Sequence, residues 1–395
     1  MNNYNKKKSK SKGKDEKVMT VGRIIFLTFL SLIFVLFLAI NIFLYIYHPS
    51  SDSIPDIDIL DFEPELGEGE DIESPQNPRV DMSKERNKDC YTFLIVGIDI
   101  LGGTTDTMMV AMFNVKESTI SILNIPRDTY VSTKNYSGKI NGVYARGRNN
   151  AIASGVPRGE EASRKGLEYL SSMIKYTFGI EIQKYILIDL RGFKVLVDKI
   201  GGVEFNVPMR MKYTDPEQGL YIDLQPGWQH LDGGKAEQLI RFRHGDKGQP
   251  NYYDIGYPGE DIGRIKTQQH FMAALMKKVL AKPDVNTMKG LYEVGANYMV
   301  TNISVADAGW FATKMTNVKL ENVRTHTVPG NWLGSVLRYE AYKAETMEII
   351  NRYYNPYRRD IPETNFNIYD RDLVGYTGYK PEIDIDGKTM DTLVK

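Results

Sequence analysis

Cysteine is almost absent from this chain of 395 residues, in which Cys90 is the only one. A single thiol excludes an intramolecular disulfide bond and any Cys-x-x-Cys zinc or redox site. An excess of charge of either sign is also lacking, because Lys plus Arg and Asp plus Glu both number 50. No global electrostatic field attracts nucleic acid, so we predict no nucleic-acid partner and expect any basic site to be local.

The common signatures of catalysis and cofactor binding are missing as well. The sequence contains no GxSxG, HExxH, GxxxxGKS/T or GxGxxG motif. Its 5 histidines are scattered, and no two have the spacing of a metal-binding pair. His244 is the only histidine that lies beside arginines. Candidate functional groups are therefore carboxylates and arginines.

One long hydrophobic run is present, at residues 24–47, which are nearly all Ile, Leu, Phe, Val and Tyr. A helix of this length spans roughly 36 Å at about 1.5 Å per residue, more than a hydrocarbon core of about 30 Å. Lysines crowd residues 1–23, and no small-residue cleavage pattern follows the run. The positive-inside rule then predicts a cytoplasmic tail at 1–23, an uncleaved single-pass anchor in the cell membrane, and an extracellular remainder.

The rest of the chain divides by composition into three parts. Residues 48–88 are acidic and rich in Pro, Gly and Ser, which is typical of a solvated linker. Residues 89–354 alternate between strand and helix patterns without a strict βαβ rhythm. They predict an α/β domain of the mixed α+β kind, with a central mixed or antiparallel sheet flanked by helices. Residues 355–395 form a C-terminal extension, and we expect a polar loop at 139–150.

Two β-rich runs, 107–113 and 119–125, predict an antiparallel hairpin. Asp106 precedes the first run and Arg127 follows the second, so we expect the two side chains to lie side by side at the open end. Asp99 ends the preceding strand. It reaches the same end if that strand runs parallel to the second strand of the hairpin.

A second charged group lies in the stretch 241–269. A helix predicted at 261–280 places its residues at spacings of three and four on one face. Like charges about 4 Å apart repel by about 4 kcal/mol at an effective dielectric constant near 20, so converging arginines predict an anion between them, with phosphate the leading candidate. The group consists of Arg241, Arg243, Asp261, Arg264 and Gln268.

These residues also permit a purely structural interpretation. A single Asp at a strand end or helix start more often caps backbone N–H groups, and a single Arg often forms a weak surface ion pair. Together, Asp99, Asp106 and Asp261 offer the oxygen ligands that Mg²⁺ prefers when it also binds phosphate and water. Convergence of carboxylates and arginines favours a magnesium and phosphate site.

Seven sequence blocks, in this order, resemble the LytR-CpsA-Psr (LCP) family of cell-envelope phosphotransferases over residues 91–280. No single block is specific, but the ordered set is. The blocks are GIDI (97–100), TTDTMMV (104–110), SILNIPRDTYV (121–131), KINGVYARG (139–147), GGVEFNVP (201–208), LDGGKAEQLIRFRH (231–244) and EDIGRIKTQQ (260–269).

The resemblance implies an open sheet flanked by helices, with an apolar pocket for a prenyl chain. It implies transfer of an anionic glycopolymer, of teichoic acid or capsule type, from an undecaprenyl-pyrophosphate carrier to a peptidoglycan sugar hydroxyl. It assigns magnesium to Asp99, Asp106 and Asp261, and catalysis to Asp106, Arg127, Arg243 and Arg264. The implied pyrophosphate contacts are Arg127, Arg241, Arg243, Arg264 and Gln268, with Lys139 as an additional candidate.

Two departures from the family pattern stand out. Many members carry an Arg just before the Thr-Asp of the second block, where this chain has glycines and threonines at 102–105. A Tyr-rich insertion at 247–260 serves either as a platform for the acceptor glycan or as a lid. Two alternative functions stay open: hydrolysis of a prenyl pyrophosphate, with water in place of the acceptor, and a non-enzymatic regulatory scaffold that binds polyprenyl phosphate.

Overall fold

The computed structural model describes residues 35, 38, 42, 46–57, 79–98, 103–217, 219–245, 261–281, 285–334, 336–369 and 388–389. No helix in this part of the chain is long and apolar enough to cross a membrane. The predicted tail at 1–23, most of the predicted anchor at 24–47 and the insertion at 247–260 lie outside the described residues.

Strands and helices alternate along the chain. The strands are β1 (Cys90–Ile98), β2 (Thr105–Asn114), β3 (Thr119–Ile125), β4 (Tyr130–Thr133), β5 (Tyr136–Lys139), β6 (Lys184–Asp189), β7 (Val203–Val207), β8 (Met211–Asp215), β9 (Leu220–Leu224), β10 (Gly227–Leu231), β11 (Met299–Thr301), β12 (Val323–Thr327), β13 (Gly330–Leu333), β14 (Arg338–Ala341) and β15 (Lys388–Thr389). The α-helices are α1 (Asn141–Ala153), α2 (Glu160–Phe178), α3 (Leu190–Lys199), α4 (Gly233–Arg241), α5 (Asp261–Leu280), α6 (Val285–Tyr298), α7 (Val305–Met315) and α8 (Lys343–Tyr353).

A seven-stranded mixed sheet in the order β11-β6-β1-β2-β3-β12-β15 forms the centre of the fold. β2 runs antiparallel to both β1 and β3, whereas β1–β6 and β3–β12 are parallel pairs. The predicted hairpin is the pair β2–β3. The predicted class, a mixed sheet flanked by helices, is confirmed.

Helix α2 covers the sheet through the apolar stripe that its sequence predicts. Leu167, Leu170, Met173 and Ile174 on this stripe are fully buried in the main core. Gly179 adopts φ 72° and ends the helix, since glycine enters the left-handed region without a Cβ penalty. A 3.6-residue period and a C-terminal glycine were therefore sufficient to bound this helix.

The expectation of a loop at 139–150 is wrong, because residues 141–153 form helix α1. Its buried positions Val143 and Tyr144 contribute to the main core, and at Gly147 an added Cβ would lie 2.4 Å from Tyr169 Cβ. The helix is therefore stabilised by close packing on α2, and its own apolar pattern is weak.

A second apolar core lies among α3, α4, α5 and β7–β10. The ring of Phe271 on α5 packs edge-on against Phe205 on β7, with centroids 5.5 Å apart. The N-terminus of α4 is capped as predicted, because Asp232 Oδ1 accepts a hydrogen bond of 2.8 Å from Lys235 N. This core fixes the helix that ends in Arg241.

Residues on both sides of the predicted domain limits belong to the packed structure. Ile54 is buried, and its N–H donates to Ile182 O at 2.8 Å. Arg79 Nη2 donates to Asn365 O at 2.8 Å. Beyond residue 354, buried Phe366 also joins the main core. Short parts of the linker and the extension are thus ordered by contacts distant in sequence.

A second, small compact unit contains Ser304–Ala312 and the described residues up to Ser50. Within it, Tyr47 OH donates to Asp307 Oδ1 at 2.7 Å. Asp307 is buried and also accepts from Ser304 N at 3.0 Å near the start of α7. The ring of His48 lies 5.7 Å from that of Trp310.

Candidate active site

A β-bulge in β2 places Asp106. Gly97 of β1 pairs with Thr107 and Ile98 pairs with Thr105, so Asp106 is the extra residue on β2. A bulge interrupts the ladder and re-aims a side chain, often at a functional site. The Asp106 side chain is 45% exposed. It therefore lies within β2, which begins at Thr105, whereas the sequence predicted that Asp106 directly precedes the strand.

Arg127 reaches Asp106 from the end of β3. Its Nη1 donates to Asp106 Oδ1 at 2.8 Å, and its side chain is 23% exposed. The backbone around it is fixed, because Thr129 N donates to Pro126 O at 3.0 Å and Asn141 N donates to Arg127 O at 3.1 Å. The two side chains that the hairpin brings to one end are in contact.

Asp128 and Lys139 extend this pair. Asp128 is buried, and its Oδ1 lies 2.9 Å from Lys139 Nζ, while its Oδ2 lies 3.6 Å from Arg127 Nε. We call Asp106, Arg127, Asp128 and Lys139 the sheet cluster. Sequence reasoning missed Asp128, although its position directly after Arg127 in the PRD block was a usable signal.

Asp99 lies outside the described residues, but the strand before it is described. β1 is antiparallel to β2 and β2 to β3, so β1 is parallel to β3. The sequence analysis predicted that Asp99 reaches the end of the hairpin if the strand before it is parallel to the second hairpin strand. The structure meets this condition for β1, which ends at Ile98, directly before Asp99.

Helix α4 carries Arg241 in its last turn. Arg241 Nη1 lies 3.3 Å from Glu237 Oε1, and Glu237 Oε2 lies 2.7 Å from Lys194 Nζ on α3. Phe242 is buried and in an extended conformation. The following residue, Arg243, is exposed. The buried ring of Phe242 therefore lies between the two arginines in sequence.

Gln268 on α5 binds the end of α4, because its Nε2 donates to Ile240 O at 3.1 Å. The helix predicted at 261–280 is confirmed as α5, so Asp261, Arg264 and Gln268 occupy positions on one helical face. The side chains of Asp261 and Arg264 lie outside the described part. We call Arg241, Arg243, Asp261, Arg264 and Gln268 the helix cluster.

The two clusters differ in what the structure shows of them. The sheet cluster is one network of contacts, whereas described bonds tie Arg241 and Gln268 to α4 itself. No described hydrogen bond or ion pair joins Gln268 or Arg243 to the sheet cluster. Among the described side chains, no group of three His, Cys, Asp or Glu is placed to hold a metal ion. Of the three predicted magnesium ligands, only Asp106 has a described side chain.

Comparison with curated proteins identifies cell-envelope relatives. The chain is 32% identical over 238 residues to the cell wall biosynthesis protein LcpA of Corynebacterium glutamicum, covering 57% of this chain and 43% of that protein. It is 25% identical over 242 residues to the polyisoprenyl-teichoic acid–peptidoglycan teichoic acid transferase TagV of Bacillus subtilis, covering 59% and 54%. The chain spans about half the length of these two relatives.

Solved structures share the fold. A protein from Streptococcus agalactiae matches with a TM-score of 0.56 and 19% identity, covering 74% of this chain and 96% of that one. A LytR-Csp2A-Psr enzyme from Actinomyces oris matches with a TM-score of 0.52 and 19% identity, covering 67% and 90%. The LytR_cpsA_psr family pattern matches residues 65–355. This match includes both clusters, and the chain belongs to the LytR-CpsA-Psr family.

Proposed function

We propose that this chain is a membrane-anchored, extracellular phosphotransferase that moves an anionic glycopolymer from an undecaprenyl-pyrophosphate carrier to a peptidoglycan sugar hydroxyl. Family membership supports the reaction class, and the relatives TagV and TagU are named as transferases of teichoic acid to peptidoglycan. The observation that carries the proposal is the Arg127–Asp106 contact at the bulged edge of the sheet.

Arg127 is suited to bind the donor pyrophosphate. Its planar guanidinium presents several donors in a geometry that matches phosphate oxygens. Asp128 holds Arg127 and Lys139 close together, at 3.6 and 2.9 Å, so two cations are ready before an anion arrives. Preorganised cations stabilise charge that develops on the leaving phosphate more strongly than mobile water does.

The transfer step forms one phosphorus–oxygen bond and breaks another. The acceptor hydroxyl oxygen bonds to the phosphorus that carries the glycopolymer, and the bond from that phosphorus to the bridging oxygen breaks. Undecaprenyl phosphate leaves with the bond's electron pair. An aspartate of the site accepts the hydroxyl proton, and Asp106, a partly exposed carboxylate, is the preferred candidate.

Magnesium fits the chemistry of Asp106. In the described contacts this carboxylate uses Oδ1 for Arg127, and hard carboxylate oxygens are the ligands that Mg²⁺ prefers. We propose that Asp106 holds the ion together with Asp99 and Asp261. When bound, magnesium supplies positive charge that neutralises the pyrophosphate.

The test compares two arginines, each paired with an aspartate near a strand end. Arg127→Ala is expected to lower the transfer rate by about 100-fold or more, because it removes a charge that stabilises the leaving group. Arg191 pairs with Asp189 at 3.2 Å after β6 and is 74% exposed, so Arg191→Ala is the matched control. Both variants are assayed in vesicles with labelled lipid donor, after their melting temperatures are measured. An Arg127→Ala protein that transfers glycopolymer at the wild-type rate would contradict the proposal.

The same assay distinguishes transfer from hydrolysis. Labelled donor is incubated with and without peptidoglycan fragments. A transferase links label to the acceptor only when fragments are present. Release of free phosphorylated polymer at equal rates in both samples identifies a hydrolase instead.

A further inference from the structure

We propose that three side chains at the end of the β13–β14 hairpin, those of Trp332, Val336 and Leu337, insert into the interface of a lipid bilayer next to the sheet cluster. Three large apolar side chains within six residues are exposed here: Trp332 at 42%, Val336 at 46% and Leu337 at 62%. Single exposed apolar residues are ordinary, but a contiguous group marks a surface that contacts something apolar.

The backbone of Leu337 gives a second, independent observation. Its φ is 52°, and Ser118 is the only other non-glycine residue with positive φ among those described. A side chain with a Cβ is disfavoured in this left-handed region, where Gly or Asn is usual. Strain that persists at an exposed position points to a use for the side chain itself. The use that fits Leu337 is insertion of its isobutyl group into lipid.

The hairpin is bonded to the turn that carries Arg127. Tyr339 N donates to Asp128 O at 2.9 Å, and Thr129 forms a bridge with Tyr339. Lys139 Nζ lies 5.6 Å from the centroid of the Trp332 ring. A Trp with a Lys beside it is typical of the level of lipid headgroups, where the ring is half immersed and the ammonium meets anionic phosphates.

A second exposed tryptophan, Trp228 on β10, has more polar surroundings than the turn of the β13–β14 hairpin. Trp228 is 67% exposed, but it lies opposite Asn206 on β7. On the same face, His230 Nδ1 lies 2.7 Å from Glu204 Oε1. These neighbours are hydrogen-bonding groups, as a hydroxylated ligand requires. Trp332 lies opposite Tyr339 on β14, and the other exposed apolar side chains at the turn, Val336 and Leu337, are aliphatic and offer no hydrogen-bonding group.

The inference rests in part on the proposed function, since a lipid-linked donor presents its pyrophosphate at the membrane surface. An inserted hairpin would hold Lys139 and Arg127 at that level. The donor would then reach the sheet cluster without leaving the bilayer.

Tryptophan fluorescence tests the insertion. The full chain is reconstituted in vesicles whose phospholipids carry brominated acyl chains, which quench tryptophans that touch them. The chain has 3 tryptophans, and Trp310 is common to all variants. Trp332→Phe is expected to lose most of the lipid-dependent quenching, whereas Trp228→Phe, the matched control, retains it. Equal quenching in wild type and Trp332→Phe would overturn the proposal.

Leu337→Gly separates insertion from folding. Glycine accepts φ 52° without strain, so the melting temperature is expected to hold or rise, while quenching of Trp332 falls. Ser118→Gly relieves similar strain in the β2–β3 turn and should leave quenching unchanged. Unchanged quenching in Leu337→Gly would overturn the proposal. Quenching that appears only after polyprenyl phosphate is added would also overturn it, because these side chains would then bind the prenyl chain and not the bilayer. The quenching measurement uses no glycopolymer and does not depend on transfer activity. A variant that has lost only transfer activity therefore gives the same quenching as wild type, and the two proposals can fail separately.

Discussion

Asp128 is the residue that keeps the sheet cluster together. Arg127 and Lys139 are both cations, and without a carboxylate between them they would repel each other. Asp128 is buried, with its two oxygens directed to the two cations. A protein that needs both positive charges near one anion therefore also needs this negative charge when the anion is absent.

Asp128→Asn should reveal this role through ligand-dependent stability. Removal of the carboxylate is expected to lower the free energy of unfolding by about 1–2 kcal/mol, a moderate value because both cations are partly exposed. Added pyrophosphate should then raise the melting temperature of the variant more than that of wild type, since it replaces the lost charge. Asp223→Asn, at the exposed pair with Arg210, is the control. A smaller shift in Asp128→Asn than in wild type would contradict this role.

At the scale of elements, α1 and α2 approach each other through reciprocal contacts of glycine and tyrosine. A Cβ at Gly147 on α1 would lie 2.4 Å from Tyr169 Cβ, and a Cβ at Gly166 on α2 would lie 2.8 Å from Tyr144 O. Each tyrosine thus covers the other helix's glycine. This packing fixes the helix whose first turn bonds to the backbone of Arg127.

Gly147→Ala is therefore expected to lower the free energy of unfolding by about 1–3 kcal/mol, because the helices must move apart. Gly295 lies in α6 with nothing within 4 Å of an added Cβ. Gly295→Ala should stabilise by up to about 1 kcal/mol through helix propensity. Urea unfolding of both variants measures the difference. Two variants of equal stability would show that the glycine contact is not needed.

The N-terminal segment 51–57 is tied to α2 by a partly buried ionic group. Lys175 Nζ lies 2.8 Å from Glu181 Oε1 and 2.6 Å from Asp56 Oδ2, and Ser53 Oγ donates to Glu181 Oε2 at 2.9 Å. Burial alone would raise the pKa of Glu181, but Lys175 and Ser53 outweigh burial and lower the pKa below its ordinary 4.5.

This lowered pKa predicts an acid-dependent loss of stability. The stabilising contribution of Glu181 is present above pH 4.5 and disappears as the pH falls through the lower pKa of the folded state. Glu181→Gln should destabilise at neutral pH and show a shallower decline in melting temperature below pH 4.5. Glu117→Gln changes an exposed carboxylate and should keep the wild-type slope. An unchanged acid slope in Glu181→Gln would remove this group from the acid response.

The sequence pattern correctly predicted the strands and helices whose own residues show a clear apolar period or β-forming run. The hairpin β2–β3 has two runs of β-formers, and α2 has a full apolar stripe with a terminal glycine. The bulge at Asp106 was not predictable, because register depends on pairing with β1. Helix α1 was missed because its stability comes from contact with Tyr169. Hairpins of four-residue strands, such as β13–β14, carry too few residues for a periodic pattern.

At the scale of the whole molecule, the predicted site combines segments far apart in sequence. The order of the seven sequence blocks carries the family resemblance. That resemblance assigned functional roles to residues of both clusters. Physical reasoning from the residues alone placed Asp106 next to Arg127. It also predicted that Asp99, Asp106 and Asp261 converge on one ion, which stays a prediction, because only Asp106 has a described side chain. The proposed function further requires that the chain be anchored in the membrane with both clusters outside the cell.

That orientation can be tested by cysteine labelling, because the native cysteine, Cys90, is not expected to react with the label. Burial raises the pKa of the Cys90 thiol to about 11, and the reactive form of cysteine is the thiolate, so native protein should not react with maleimide at neutral pH. Asn3→Cys then reports on the tail at 1–23, and Ser74→Cys reports on the linker at 48–88. A membrane-impermeant maleimide added to intact cells is expected to label Ser74→Cys only, because the positively charged tail stays inside. Denatured samples, in which Cys90 also reacts, confirm that each protein is present. Labelling of Asn3→Cys but not Ser74→Cys would reverse the predicted topology and place both clusters on the side of the membrane away from peptidoglycan.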